Sequence, residues 1–394
     1  MKKIFLLILS LLLCGCGNYS ELNKLSIVTA VALDKNDDKY EVSFLIANSP
    51  KAQTSSKEGE AKTTVYSGTG KTIPEAAQSI DQISPKRLYF GHINVVVISE
   101  DIAKEGFFKS ADFLIRNPQT RKKFYLLQAE DTKAGDVLKI VSPLESFPSQ
   151  NIATLIESNQ NSKSIATAVN YSTFIGTALK QGLDPVLPSI KVKGSVKKGS
   201  NEKNLETTSP EAYLSLGPLA IYQKDKLRGF VSKKESQAIN ILKNDTKELN
   251  YTVDYEDIKI SIDSRNLKSN IIYDGDSFNI LVSGKGNIYD INGDFNIDNY
   301  KVIKKIEKAW NKQASKDLKN IIFKLQKKYK ADILGFGNQI YKNNPKYWDV
   351  VKNDWNNKYF PNVKVKVETS LKISSAGSLS KTIRMGAKWK RLLH

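Results

Sequence analysis

The sequence predicts a multi-domain protein of the α+β class, with mixed α/β domains that follow a cleaved signal peptide. Three observations predict this. The chain has 394 residues, which is enough for two or three domains with cores of their own. Runs rich in Val, Ile and aromatic residues alternate with amphipathic helical segments along most of it. Residues 1–15 fit neither pattern, because they consist mainly of a single apolar run behind two lysines.

Residues 4–13 form that apolar run, and two cysteines follow it closely. As a helix the run would rise about 15 Å against roughly 30 Å of hydrocarbon, so it predicts a cleaved signal and not a permanent span. Cys16 follows the small residue Gly15, whereas Cys14 follows the bulky Leu13. We therefore expect Cys16 to carry the lipid, as an S-diacylglycerol and N-acyl cysteine. The alternative is an ordinary signal peptide with two incidental cysteines.

Two acyl chains on Cys16 would hold the mature protein at a membrane, since one chain alone binds only marginally. Residues 16–23 then form a short lipidated tether. The chain has two cysteines, and cleavage before Cys16 removes the other. The mature chain would thus lack a free thiol, which excludes disulfides, thiol catalysis and cysteine metal sites.

The next segment, residues 24–205, predicts an N-terminal α/β domain. The expected strands cover residues 26–33, 40–47, 93–98 and 124–129, and a polar loop covers 48–64. Thr72 with Pro74 and Glu75 predicts a capped helix start. A second helix is expected over 102–115.

A boundary is expected near residue 205, because residues 191–209 have little apolar content and predict a linker or long loop. Residues 206–250 predict a small middle domain, with a hairpin around 223–226 and a helix over 235–242.

Residues 251–380 predict a C-terminal basic α/β domain, and residues 381–394 a basic tail. The segment 251–299 is strand-rich, and Asn292-Gly293 predicts a hairpin turn. The longest helix is expected over 301–330, with an apolar stripe that faces the core. Alternating valines predict a half-exposed strand over 363–367.

The net charge of +19 is concentrated in this last part of the chain. Residues 301–394 hold 23 Lys and Arg against six acidic residues, whereas residues 1–300 hold 37 against 35. All four tryptophans also lie in 301–394. Basic and aromatic residues together suggest nucleic acid in a cytoplasmic protein, but export excludes nucleic acid as a partner here. Anionic membrane lipid or an acidic protein fits an exported chain, and a solvated lysine-rich surface is the plain alternative.

Motifs for catalysis, cofactors or metals fail on spacing. The segment Gly68–Thr72 resembles the end of a phosphate-binding loop, but Val65 occupies the position of the first glycine, and a helix cap explains it better. Asp290, Asn292 and Asp294 have calcium-loop spacing, yet Phe295 replaces the required glycine. The chain has only two histidines, and no carboxylate pair is singled out among its 41 acidic residues. We assign no catalytic, cofactor-binding or metal-binding residue.

Several short segments, spread over both halves of the chain, together carry a family resemblance. In the first half they are Gly15-Cys16-Gly-Asn-Tyr-Ser-Glu21-Leu, Leu25-Ser-Ile-Val-Thr-Ala30, Lys86-Arg-Leu-Tyr-Phe-Gly-His92 and Phe113-Leu-Ile-Arg116-Asn-Pro. In the second half they are Asp332-Ile-Leu-Gly-Phe-Gly337, Tyr347-Trp348, Asp354-Trp355 and Val363 to Val367. These segments resemble the spore germination Ger(x)C lipoproteins, and they occur in that family's order over more than 300 residues.

This resemblance implies the C subunit of a nutrient germinant receptor, without enzyme activity, cofactor or metal. It implies three mixed α/β domains on the outer face of the spore inner membrane, beside two integral-membrane subunits, A and B. Only Cys16 matches a family residue of known role. A solute-binding lipoprotein of a membrane transporter is the alternative function, and it would require a cleft between two similar lobes. A wall-cleaving lipoprotein enzyme would require a carboxylate pair with a shifted pKa.

Overall fold

The computed structural model describes residues 24–48, 62–145, 147–162, 165–292 and 300–375. Its strands are β1 Leu25–Asn36, β2 Lys39–Ala47, β3 Thr63–Gly70, β4 Arg87–Tyr89, β5 Val95–Ile98, β6 Tyr125–Ala129, β7 Val186–Gly194, β8 Ala212–Gln223, β9 Lys226–Phe230, β10 Glu248–Tyr255, β11 Ile258–Tyr273, β12 Ser277–Asn292 and β13 Lys364–Ser375. Its α-helices are α1 Ile73–Asp81, α2 Glu100–Glu105, α3 Phe107–Arg116, α4 Ala134–Lys139, α5 Pro148–Ser162, α6 Tyr171–Ala178, α7 Val196–Gly199, α8 Lys233–Lys243, α9 Tyr300–Lys324, α10 Phe336–Asn343 and α11 Pro345–Val351.

Strands β1 to β9 form one mixed sheet in the order β3-β2-β1-β5-β6-β7-β8-β9, and β4 pairs beside β1. The central strands β1, β5, β6 and β7 run parallel, and antiparallel hairpins extend the sheet on both sides. Helices cover both faces, so β5 is buried at every position. This explains the continuous apolar sequence of β5, which a sheet exposed on one side would not have.

Strands β10 to β13 form a second sheet in that order, and one of its faces packs on α9. The buried stripe of α9 comprises Ile306, Trp310, Ala314, Leu318, Ile321 and Ile322. The core between α9 and the second sheet continues into the end of the first sheet, because the same cluster of buried residues includes Leu219, Ile221 and Val231.

One flank of α9 binds the free edge of β13. The Asn311 side chain donates from Nδ2 to the Leu371 carbonyl at 2.8 Å and accepts from the Leu371 amide at 2.9 Å. One turn earlier, Glu307 Oε1 accepts from the amide of Ile373 at 2.9 Å. These side chains take the place of a neighbouring strand, and so satisfy backbone groups that an edge strand would leave unpaired.

The opposite flank of α9 binds the free edge of β10 in the same way. Gln313 accepts from the amide of Asp254 and donates to the carbonyl of Thr252, both at 3.0 Å. A single helix therefore closes both edges of the second sheet.

Most of the predicted elements are confirmed. Strands β1, β2, β5, β6, β8, β9 and β13 and helices α1, α8 and α9 lie where the sequence placed them, and Thr72 caps α1 as expected. The long helix ends at Lys324 and continues as a π-helical turn, Leu325–Tyr329. Asn292 is the last residue of β12. Gly293, the second residue of the predicted turn, lies outside the described residues. None of the described helices is long and apolar enough to cross a bilayer.

One prediction was right in part and one was wrong. Residues 191–209 do not form a linker, because β7 runs to Gly194 and pairs with β8, and the buried Asn204 binds the carbonyls of Val141 and Ala212. The alternative of a long loop fits residues 195–211, which connect β7 to β8. The helix expected over 102–115 is two helices that break at Gly106, where φ is +124°. Strands β8 and β9 extend the first sheet, and the domain division at 205 and 250 stays a prediction.

Candidate functional site

Cys16, the predicted lipid attachment site, lies outside the described residues, and its role stays a prediction. The described residues instead bring together the segment Asp332–Gly337 and the loop that precedes β7. We name this contact the carboxylate junction, and define it as Gly182, Asp184, Asp332, Gly337, Trp355 and Asn356.

Asp332 is fully buried at the start of α10. Its Oδ1 accepts from the amides of Gly335 at 2.8 Å and Phe336 at 3.0 Å. Its Oδ2 accepts from the Gly337 amide at 2.7 Å and from Trp355 Nε1 at 3.0 Å. Successive amides can converge on one carboxylate because Gly335 has φ of +78°, a conformation that favours glycine.

Asp184, also buried, connects Asp332 to the first sheet. Its Oδ2 accepts from the Asp332 amide at 2.8 Å and from Asn356 Nδ2 at 2.9 Å, and its Oδ1 accepts from the Lys224 amide at 2.9 Å. The Asp184 amide in turn donates to the Asp332 carbonyl at 2.9 Å. The two aspartates thus bind each other through side chain and backbone, and join the loop before β7 to the segment before α10.

Two glycines allow this close approach. The Gly182 carbonyl accepts from the Asn338 amide at 2.9 Å. A Cβ on Gly337 would lie 2.7 Å from Gly182 Cα and 2.7 Å from Trp355 Nε1, and a Cβ on Gly182 would overlap the Gly337 backbone. A side chain at either position would therefore separate the loop before β7 from the first turn of α10.

Burial dominates the electrostatics of the junction. It raises the pKa of Asp332 to about 7 and also raises the pKa of Asp184. The N–H donors act in the opposite direction, because they favour the ionised carboxylates. Every partner of these carboxylate oxygens described above is an N–H group, so the arrangement satisfies buried charge without a salt bridge.

The junction is therefore suited to hold two parts of the chain together. Its carboxylates are saturated by N–H groups, and the described residues contain no cluster of three or more His, Cys, Asp or Glu side chains that could hold a metal. A surface pocket of about 350 Å³ lies beside it, and Trp355 lines this pocket too. The other lining residues are Tyr273, Asp276, Phe278, Ile340, Tyr347, Lys358, Tyr359, Asn362, Val363 and Lys364. Asp276 is the single carboxylate among them, and it pairs with Lys364 at 2.9 Å.

Sequence reasoning identified the segment Asp332–Gly337 but not its partner. Asp184 lies 148 positions from Asp332, in a short loop before β7 whose spacing carries no motif. The signal that was available is the pattern of one aspartate followed by two glycines within five residues, which is typical of backbone amides that converge on an anion.

Comparisons with known proteins relate both halves of the chain to one family. Residues 18–192 match the family described as the spore germination protein N-terminal domain. Residues 218–377 match the family described as spore germination B3/GerAC like, C-terminal.

Similar proteins span almost the whole chain. Spore germination protein KC of Bacillus subtilis (strain 168) is 29% identical over 408 residues, which cover 98% of each chain. Spore germination protein GerQC of Bacillus cereus is 24% identical and covers 96% of this chain and 99% of its own. A crystal structure of the GerBC protein has a TM-score of 0.51 at 19% identity, over 87% of this chain and 96% of its own. The similarity to the GerBC structure shows a shared fold only.

Proposed function

Because the chain belongs to the GerAC family of spore germination proteins, with both family domains in their order, we propose that it is the C subunit of a nutrient germinant receptor. In this proposal it is anchored by lipid to the outer face of the spore inner membrane and assembles there with integral-membrane subunits A and B. It supports the germination response and performs no chemistry itself.

The observation that carries the proposal is the end-to-end match to relatives named as spore germination proteins. The match to spore germination protein KC covers 98% of both chains, so the two proteins share their whole length and not one module. A common role for the whole chain is the simplest reason for such a match.

The proposed mechanism is tethering. Eight residues, 16–23, separate the lipid from the fold, and a fully extended chain of this length reaches at most about 28 Å. A protein held so close to the bilayer meets membrane subunits at high effective concentration. Docking onto subunits A and B then needs no large interface of its own.

The carboxylate junction gives no support to the wall-cleaving alternative. Its buried carboxylates, Asp184 and Asp332, accept hydrogen bonds from N–H donors, and the pocket beside it is lined by a single carboxylate, Asp276. The solute-binding alternative needs two similar lobes, whereas the described sheets differ in strand number and in how helices cover them. Neither alternative gains support.

The test is a substitution at the lipid site in the producing organism. Cys16→Ala should give a folded protein in the soluble fraction and weaken germination through its own receptor. Cys14→Ala is the matched control, because it changes the neighbouring cysteine and should leave anchoring and germination intact. Normal germination with a soluble Cys16→Ala product would contradict the tethering mechanism.

Assembly is tested separately, by purifying the tagged chain from spore membranes and identifying what accompanies it. We expect subunits A and B. If neither accompanies a chain that is anchored and folded, the chain is not a receptor subunit.

A further inference from the structure

The solvent side of α9 is a continuous lysine row. At 3.6 residues per turn, seven residues of this helix fall in a sector of roughly 80° directly opposite its buried stripe. All seven are exposed, and we name them the lysine face: Lys301, Lys305, Lys308, Lys312, Lys316, Lys319 and Phe323. Six cations and one phenylalanine therefore occupy this sector, without a single acidic residue.

The two acidic residues of α9 do not compensate the lysine face, because both lie on its flanks. Glu307 binds Lys304 at 2.6 Å and the β13 edge, and Asp317 binds Lys234 at 3.0 Å beside β10. Within the described residues, five members of the face form no ion pair: Lys305, Lys308, Lys312, Lys316 and Lys319.

This arrangement is unfavourable for the isolated protein. Lysines three and four positions apart on a helix are neighbours, and like charges at this spacing destabilise it. Exposed helices commonly mix both signs, which gives favourable pairs instead. A surface of opposite charge would offset the repulsion between these lysines and attract the whole lysine face.

The sequence after the last strand is basic as well. The Ile373 amide binds Glu307 in the first turns of α9, so β13 reaches its end at Ser375 close to Lys301 and Lys305. The sequence that follows, residues 376–394, contains five Lys and Arg and no acidic residue. The last described residue, Ser375, therefore lies at the same end of α9 as the first lysines of the lysine face.

We infer that the lysine face is a docking surface for anionic lipid headgroups, and that α9 lies along the membrane surface. This rests on the proposed function, which holds the chain at a bilayer. A row that extends about 27 Å from Lys301 to Lys319, with one charge sign throughout, matches a plane of uniform charge. Phe323 is 61% exposed at its end and can enter the headgroup region.

The test uses chain 17–394, which lacks the lipid, and vesicles of phosphatidylcholine with or without phosphatidylglycerol. We expect binding only to the phosphatidylglycerol vesicles, with an affinity that falls as salt rises, because salt screens exposed charges. The triple variant Lys308→Glu, Lys312→Glu, Lys316→Glu should bind at least about 100-fold more weakly, since each lysine near an anionic surface contributes about a factor of five.

The matched control reverses three other exposed lysines, on neighbouring strands of the second sheet: Lys268→Glu, Lys285→Glu, Lys372→Glu. It makes the same change in net charge on the outer face of that sheet. It should bind within a few-fold of the unaltered chain. An equal loss in both triple variants would mean that net charge and not the lysine face drives binding, which would overturn the inference.

Two further outcomes separate this inference from the proposed function. If the unaltered chain ignores phosphatidylglycerol while the triple α9 variant no longer co-purifies with receptor subunits, the lysine face binds an acidic protein, and the lipid assignment is overturned. If vesicle binding behaves as expected but subunits A and B never accompany the chain, the proposed function fails and the lipid surface stands.

Discussion

The first sheet and the second region, which comprises the second sheet and helices α9 to α11, each use a buried aspartate to fix the start of a helix. In the first sheet, Asp34 of β1 accepts from the amides of Ala134 and Gly135 at 2.8 and 2.7 Å and so holds α4. In the second region, Asp332 holds α10 with three amides and an indole. Asp34 acts within one sheet, whereas Asp332 is also bound to Asp184 of the other.

The difference teaches how the two regions depend on their neighbours. The first sheet has helices on both faces, so a single contact carries a small share of its stability. The second region depends on α9 for its core and both sheet edges, and the carboxylate junction joins it to the first sheet in addition to the core that the two share. Equivalent substitutions should therefore cost more in the second region.

The largest effect is expected at the junction. Asp332→Ala should lower the free energy of unfolding by about 4 kcal/mol, because it leaves three amides and an indole N–H without an acceptor. Asp34→Ala should lower it by about 2 kcal/mol, since two amides lose their acceptor. Urea unfolding measures both. The exposed Asp349→Ala, which breaks only a surface pair with Lys352, is the control at less than about 0.5 kcal/mol. Equal losses of the free energy of unfolding in Asp332→Ala and Asp34→Ala would show that the two regions do not differ in this way.

A smaller effect is expected from pH. Burial raises the pKa of Asp332 to about 7, and it also raises the pKa of Asp34 and Asp184. Between about pH 4 and pH 7 the folded protein retains protons that the unfolded chain has released, so the free energy of unfolding should fall as the pH rises. Urea midpoints at several pH values measure this slope.

The Asp332→Asn variant sharpens the pH comparison, because it removes the titrating group at the junction. It should flatten the slope more than Asp34→Asn does. A stability that rises with pH over the same range would show that the N–H donors outweigh burial at these carboxylates.

The smallest effect is expected at the edge of the second sheet. Asn311→Ala should lower the free energy of unfolding by about 1.5 kcal/mol, because the backbone N–H and C=O of Leu371 lose their partners. Asn320→Ala is the control on the same helix, since Asn320 is exposed, and it should change stability by less than about 0.5 kcal/mol. Similar values for both would mean that solvent satisfies the β13 edge without α9.

Sequence reasoning predicted the elements whose signal is local. The continuous apolar run of β5 and the Thr72 cap of α1 depend on neighbouring residues, and both are confirmed. Strand β3 was missed because it is rich in Thr, Ser and Gly. Its Gly68 lies under α1, where a Cβ would overlap the Ala76 carbonyl, so the glycine reflects a long-range contact and not a turn.

The carboxylate junction could not be predicted for the same reason. The pattern around Asp332 indicates a turn of converging amides, but nothing near Asp184 indicates that it binds residues far along the chain. The contacts between α9 and the edges of the second sheet could not be predicted from the sequence either. Asn311 and Gln313 look like ordinary polar positions of an amphipathic helix, and their role follows only from their hydrogen bonds to the edge strands β13 and β10.

The parallel pairing of β12 with β13 governs when the second region can form. Residues 293–363, which include α9 to α11, lie between these two strands, so the pair closes only after almost the whole chain has been synthesised. Contacts of such long sequence separation form slowly. A chain cut short anywhere in that interval would present β12 as an open edge, prone to pair with other molecules. Synthesis must therefore reach β13 before the second region is protected from aggregation.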